Sequence, residues 1–446
     1  MRGCVKLFPR VNRFCRTGVV LLASHGSLPK TPPKSLLTHP YPLPMTDPNT
    51  AGISTKPVSF DDTNIAFSAK SDAELRKIYW LFASMNNNFL VKTGTAALKL
   101  AFQIRFPLVK ILVSHTVFRH FCGGETIAEC GQAIQSLWKF NIGTILDYSV
   151  EGAETTAGFE ATTREIIATI EKAADNPAIP FSVFKVTGVA PTELLAKIQR
   201  KETLTAEEQA DYEMVKQRVE RICQTAHQRN VRIFVDAEET QVQDAIDALA
   251  YEMMAKFNRT QPIVYNTYQL YRWDMLHNLK NAHADSEAKG YFLGVKLVRG
   301  AYMERERREA ADENRRDPIQ PDKPTTDRDF DDALEFCVQH CPQIAVCAGT
   351  HNEKSTHELI RLMRQNGLAP NDPHVFFAQL YGMSDNLSYN LAHAGYNVAK
   401  YVPYGPVEAV MPYLFRRASE NTAIAGQTSR ELNLIRKEMA RRKAAK

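Results

Sequence analysis

Eight short apolar runs decide the fold: Ile142–Tyr148 (IGTILDY), Phe181–Thr187 (FSVFKVT), Val231–Ala237 (VRIFVDA), Ile263–Tyr268 (IVYNTY), Phe292–Val298 (FLGVKLV), Ile344–Ala348 (IAVCA), Val375–Leu380 (VFFAQL) and Val398–Val402 (VAKYV). Each is nearly unalternating, as strands buried on both faces are, and each is followed by a stretch with helical period. Strands that alternate with helices predict βα units and a parallel sheet. Eight of them in about 280 residues match a (β/α)8 barrel, whose typical size is about 250. A doubly wound open sheet would carry a glycine-rich phosphate loop after its first strand. Neither GxGxxG nor GxxxxGK[ST] occurs, and without one that fold loses its signature. The sequence therefore predicts an α/β, TIM-like (β/α)8 barrel over residues 141–430.

Outside the barrel the pattern changes. Residues 56–140 read as a helical region. Ser71-Asp72-Ala73-Glu74 has the form of a helix cap, with Leu75, Ile78, Tyr79 and Phe82 at helical spacing behind it. Residues 1–46 hold seven Lys/Arg and no acid among Ser, Thr, Val, Leu and Phe, the composition of a mitochondrial transit peptide. A disordered basic terminus is the alternative. Seven prolines between Pro29 and Pro48 make a stiff, unfolded linker. Residues 431–446 read as a basic tail, one end of which can lie on anionic lipid or stay solvated. The overall charge of +5 comes from these ends: 1–46 carry +7 and 436–446 carry +5, so the body between them is net −7. Nucleic-acid binders present a basic face, so no nucleic-acid partner is expected. No run reaches the roughly 20 apolar residues of a membrane span. The eight cysteines have no disulfide framework and read as buried thiols. No metal site is expected: Cys337 and Cys341 lack a second pair, and His351 and His357 do not form HExxH.

A barrel places its chemistry at the C-terminal ends of its strands. Polar residues there are Asp147, Lys185, Asp236, Glu238, Glu239, Gln269, Lys296, Arg299, His351, Gln379 and Tyr401. A lone charge inside a strand core costs several kcal/mol unless paired, so their recurrence at one level argues for a shared polar site. After the eighth strand, the run Met411-Pro-Tyr-Leu-Phe-Arg-Arg-Ala-Ser-Glu-Asn421 reads as a helix with adjacent arginines. Arg416, Arg417 and Lys185 have the chemistry to clamp a carboxylate. Asp236 can then orient one arginine and Tyr401 stack on its plane. A solvated basic helix is the competing reading.

These residues carry a resemblance. Gly294-Val-Lys-Leu-Val-Arg-Gly-Ala-Tyr302, Phe234-Val-Asp-Ala-Glu-Glu239, Gly349-Thr-His-Asn352 and Tyr401-Val-Pro-Tyr-Gly405, followed by Arg416-Arg417, resemble the proline dehydrogenase (proline oxidase) family. The match runs over residues 140–425 and is nearest to the monofunctional eukaryotic mitochondrial type, no aldehyde dehydrogenase module following. The resemblance implies a distorted (β/α)8 barrel with noncovalent FAD. It also implies oxidation of L-proline to Δ1-pyrroline-5-carboxylate, with electrons passed to membrane ubiquinone. The implied setting is the matrix side of the mitochondrial inner membrane, in peripheral contact with it. Carried over residue by residue, Arg416, Arg417 and Lys185 hold the proline carboxylate. Asp236 braces the arginine pair, Tyr401, Tyr302 and Leu380 enclose the ring, and Glu151 pairs with the first arginine. The implied FAD contacts are Gln269, Lys296, Val298, Arg299, Gly300, Thr350, His351 and Glu420. The bacterial pattern has Arg where this chain has Lys296 and Lys where it has Arg299, which keeps the charge but moves the planar fork.

Other readings stay open on the residues. A hydroxyproline dehydrogenase would share barrel and flavin, with a smaller residue expected at Tyr401. Lys185 can serve as the Schiff-base lysine of an aldolase-like barrel. A methylenetetrahydrofolate reductase leaves the Arg-Arg helix without a role, and a catalytically inert binding protein leaves the full site set without one. The charged stretch 303–333 reads as a long insert after the fifth strand, either capping the flavin or solvated.

Overall fold

Strands form where the sequence predicts them. In the computed structural model, which describes residues 58–86, 89, 93–98, 109–150, 154–423 and 427–446, the eight are β1 (Ile142–Tyr148), β2 (Phe181–Phe184), β3 (Arg232–Val235), β4 (Val264–Gln269), β5 (Leu293–Val298), β6 (Ile344–Gly349), β7 (Val375–Leu380) and β8 (Val398–Tyr404). All pairings are parallel and in sequence order, and β8 closes on β1. The transit-peptide and linker region 1–46 lies outside the described residues. β2 and β3 are shorter than their apolar runs. After Phe184 the chain enters a 3-10 turn, Val186–Gly188, and the Asp236 N–H donates to the Phe184 carbonyl at 2.9 Å. Lys185 and Asp236 are thereby the first residues past their strands.

Alternation sorts each strand between two cores. Ile145, Phe181, Val183, Phe234, Tyr265, Cys347 and their neighbours fill the barrel interior, with Phe181 stacked on Phe234 at 4.4 Å between centroids. The outward residues pack under the surrounding helices. The six described cysteines are free, five of them buried.

The helices that bear on the site are α1 (Asp72–Met85), α2 (Met303–Asp312), α3 (Lys323–Gln339), α4 (Glu353–Gln365), α5 (Asp385–His393), α6 (Val407–Ala423) and α7 (Gln427–Ala444). α1 starts at Ser71 with the expected reciprocal capping box to Glu74. The barrel is distorted at its last unit. The helix Gly131–Trp138 packs on β1, while α6 packs Val410, Met411 and Leu414 against Leu380 at the end of β7 and against Met85, Val109 and Phe118. The arginine-bearing helix thus reaches the C-terminal mouth.

Two expectations are corrected. The stretch 303–333 is not one long insert: α3 packs on β6 and α4 as an ordinary barrel helix, leaving α2 and the connection to Asp322 as the addition. α2 is docked by a buried Glu306, whose Oε1 accepts the Thr240 N–H at 2.6 Å, a carboxylate on a helix N-terminus. The 431–446 segment is not a tail set apart from the core. α7 buries Leu432 and Ile435 against Phe67, Leu75 and Phe82, and Arg442 donates to the carbonyls of Phe67 and Lys70 and to Asp72. Its charge hid an apolar stripe.

Candidate active site

The mouth of the barrel is built from strand ends. Asp236, just past β3, gives one carboxylate oxygen to the Lys296 ammonium of β5 and the other to the Tyr401 hydroxyl of β8, which donates at 2.5 Å. The Lys296 ammonium also stands over two rings, 4.7 Å from the Tyr401 centroid and 5.1 Å from Phe234. Three strands that are not neighbours are tied by one buried carboxylate. The reading in which Asp236 braces the arginine pair is therefore corrected: both its oxygens are committed to Lys296 and Tyr401. The cation on the Tyr401 ring is likewise Lys296, whereas Arg417 lies 5.1 Å from the Tyr413 ring, one helical turn back in α6.

Asp147, inward at the end of β1, completes the cluster. Burial and the nearby Asp236 push its carboxyl up, while Lys185, Lys296 and a hydrogen bond from Ser149 oppose the rise. Burial, then Asp147 and Asp236, raises the Tyr401 phenol well above its usual value, so Tyr401 is a neutral donor at any physiological pH. Glu238 is buried and raised by burial, and its carboxylate takes the Thr187 N–H and hydroxyl. Glu239 pairs with Arg305. Both are spent on loop structure.

The predicted cofactor-side residues lie along β4 to β7. Gln269 donates to the Glu238 carbonyl at 2.7 Å. Val298 ends β5, and Arg299 follows with Nε on Asp327 (2.7 Å), Nη1 on Thr350 (2.9 Å) and Nη2 on Ser355 (2.9 Å). Gly300 has φ +132°, and a Cβ there would sit 2.5 Å from the Tyr271 ring, so only glycine fits this turn. His351 shares a 2.8 Å hydrogen bond between Nδ1 and Ser384 Oγ, and its Nε2 faces the Leu380 N–H at 3.5 Å. Burial, with Lys400, Arg417 and Arg299 nearby, lowers its pKa to about 3, so the ring is neutral. Tyr302 is half-buried at the start of α2, beside Tyr271 and Arg305. Arg416 and Arg417 occupy α6, Arg417 buried and Arg416 half-buried. Glu151 and the Glu420 side chain lie outside what is described.

Sequence reasoning passed over four residues. Lys400 is fully buried with its ammonium on Asp385 (2.9 Å) and the Met383 carbonyl. Its signal was a lysine at an outward, buried position of β8. Tyr413 was quoted in the arginine motif without a role. Ser384, with φ +51°, and Glu431 had no local signal, because their partners are distant in sequence.

A family model described as "Proline dehydrogenase" matches residues 130–430. Proline dehydrogenase 1, mitochondrial, of Dictyostelium discoideum is 32% identical over 427 residues, covering 85% of this chain and 74% of that protein. The chain belongs to the proline dehydrogenase family. It is thus an oxidoreductase of the class that acts on proline. Proline dehydrogenase 2, mitochondrial, of Arabidopsis thaliana is 33% identical, covering 75% of this chain and 79% of that protein. Among solved structures, proline utilization A from Bdellovibrio bacteriovorus, inactivated by N-propargylglycine, superposes with a TM-score of 0.66 at 16% identity. That likeness covers 85% of this chain, which spans 41% of the larger protein, and it speaks for the shared barrel.

Proposed function

We propose that this proline dehydrogenase family member is a mitochondrial FAD enzyme that oxidises L-proline to Δ1-pyrroline-5-carboxylate, acting at the matrix side of the inner membrane with ubiquinone as acceptor. One observation carries the reading. Asp147, Lys185, Asp236, Lys296 and Tyr401 converge at one mouth, next to a helix that carries Arg416 and Arg417. The two acids and four bases sum to +2, the charge complement of a carboxylate substrate that delivers electrons to a neighbouring acceptor. The names of the curated relatives, all mitochondrial enzymes in the two cases above, support the compartment. Among the described residues no helix is long and apolar enough to cross a membrane, so contact with the inner membrane is peripheral in this reading.

The donor set fits a flavin dinucleotide. Arg299 uses three of its five N–H groups within the protein, leaving two for an anion such as a diphosphate. Gln269, Lys296, Val298, Gly300, Thr350, His351 and Glu420 would line the same side. Bound FAD would supply the two-electron acceptor for the hydride that leaves the carbon next to the proline nitrogen.

The chain's own residues do the rest. Arg416, Arg417 and Lys185 bind the carboxylate, and the guanidinium forks fix its plane. Tyr401 cannot turn toward the substrate nitrogen while its hydroxyl is held by Asp236, so it presents its ring as a wall, with Leu380 beside it on the neighbouring strand and Tyr302 proposed as a further wall. Glu151 is proposed as the acid that pairs with the first arginine. Lys296, held by Asp236, would supply a preorganised cation on the cofactor side, to stabilise negative charge arriving on a bound flavin. Leu380, Met411 and Leu414 pack in one apolar cluster beside the mouth. The amine enters as its free base and loses its remaining N–H proton to solvent as the C=N bond forms. No side chain is needed as a strong base.

The test is the visible spectrum of the purified protein before and after anaerobic L-proline. A flavin spectrum that bleaches is expected. A flavin that does not bleach moves the substrate away from proline. A colourless protein that takes up no FAD overturns the reading.

A further inference from the structure

Helix α7 reaches the site by a route that the barrel does not require. Its residues Arg430 and Glu431 grip two successive βα turns. Arg430 pairs with Glu353, two residues after His351, which also accepts from Asn386 at 3.0 Å. Glu431 is 5% exposed and accepts the backbone N–H of Ser384, and the Ser384 side chain bonds the same carboxylate. The Ser384 hydroxyl is also 2.8 Å from His351 Nδ1. A hydroxyl has one proton to give. With a carboxylate taking it, the Ser384 oxygen is left to accept, so Nδ1 must be the protonated nitrogen of the neutral His351 ring. Nε2 then carries the lone pair, in agreement with the Leu380 N–H that faces it at 3.5 Å.

We propose that Glu431 is a positioning residue that sets the tautomer and orientation of His351 through Ser384. Once Glu431 is ionised, above about pH 7, the relay is oriented by geometry from both ends: an acceptor-only carboxylate at one and a backbone donor at the other. Ser384 holds a left-handed backbone, φ +51°, which a residue without β-branching tolerates at some cost. That conformation turns its N–H toward Glu431. Burial and the neighbouring Asp385 raise the Glu431 carboxyl to about 7, and Lys400 opposes the rise. The consequence for the reaction rests on the reading above, in which His351 contacts the cofactor: the Nε2 edge of the ring, faced by the Leu380 N–H, offers the cofactor no N–H donor.

The experiment uses the FAD-loaded full chain labelled with 15N-histidine, at a pH about one and a half units above the Glu431 value, where the carboxylate is ionised. Ring 15N shifts report the tautomer, and His351→Asn identifies the His351 signals by their loss. Wild type is expected to show a neutral ring protonated at Nδ1. Glu431→Gln, which keeps an acceptor for the Ser384 N–H but also adds donors, is expected to shift the His351 signals toward the Nε2-protonated form and to lower kcat about tenfold. Its KM for proline should change less than twofold. Glu431→Asp should restore part of the wild-type pattern, which a purely structural role would not do, and Ser384→Ala, which removes the relay oxygen, should shift the His351 signals as well and serves as the test where Glu431→Gln does not fold. Unchanged His351 shifts in a folded Glu431→Gln protein overturn the proposal. A shifted tautomer with unchanged kcat upholds the relay and sinks the cofactor-side role of His351 instead.

Discussion

Asp236, Lys296 and Tyr401 hold one another across three strands of a closed barrel, whereas Arg416 and Arg417 ride on one helix that reaches the mouth through apolar packing. The first group is fixed by sheet register, and each member is the counterpart that makes the others tolerable in a buried place. The second group is fixed by its helix, and in the proposed reading its guanidinium chemistry serves the substrate carboxylate. The same chemical types, cations and a phenol, therefore do two jobs. Changes in the strand-borne group should unfold as well as inactivate, and changes in the arginine pair should mainly unbind.

The largest effect sharpens the helix side. Arg416→Met removes one charge-assisted fork on the carboxylate, about 3–4 kcal/mol in the transition state, so kcat/KM should fall about 10²- to 10³-fold. Arg416 is half-buried, so the melting temperature should move by less than about 2 °C. Steady-state kinetics with L-proline and a thermal melt check both halves. A large melting shift with modest kinetic loss would erase the distinction between the two groups.

Next is the strand side. Asp236→Asn removes the carboxylate bonded to the buried Lys296 ammonium, at a cost of about 3–5 kcal/mol. The melt should drop by at least about 5 °C. Lys296→Met in the same background should recover much of that stability while activity stays lost, since removing both partners of a buried pair is far cheaper than removing one. If the double variant is no more stable than Asp236→Asn alone, the pair is not what holds the three strands. Gly300→Ala should cost less, about 1–3 kcal/mol, from a backbone at φ +132° and a Cβ crowded by Tyr271.

The same contrast explains what could be read in advance. The strands were legible because two-faced burial leaves unbroken apolar runs, and Lys185, Asp236, Lys296 and Tyr401 were legible because a polar residue ending such a run needs a reason. The pairing of Asp236 with Lys296 and Tyr401 was not legible. It depends on β3, β5 and β8 facing one another across the barrel, which no local pattern encodes. Asp236 was assigned to the arginines because charge alone cannot choose between cations. α7 was misread as a tail because an apolar stripe of about 100° is enough to dock a helix whose other faces are charged, and here Leu432 and Ile435 do the packing. Lys400 sat in plain view within β8. Its partner, Asp385, looks from the sequence like an ordinary acid in the first turn of a helix.

The smallest effect concerns two carboxylates seven residues apart on α7, and it tests whether the helix-borne side has its own electrostatic anchor. Burial would raise Glu438, but Arg441 and Arg442 outweigh it and hold the carboxyl at about 2. Glu431 has no such cation pair and is raised to about 7. The signs are opposite. Glu438 is depressed, so its contribution is present above the ordinary glutamate value and is lost as pH falls toward 2. Glu431 is raised, so between the ordinary glutamate value and about 7 the folded protein holds a proton that the unfolded chain does not, and stability falls as pH rises through that window. His351 and His120, lowered to about 3 and about 4, pull the other way over the same range, so the wild-type curve alone is not diagnostic. The difference in melting temperature between wild type and Glu431→Gln isolates the effect. It should swing against wild type by about 1–3 °C between pH 5 and pH 8. A flat difference would mean that Glu431 titrates in the folded protein much as it does in the unfolded chain, and that α7 is anchored by Glu438 and its arginines alone.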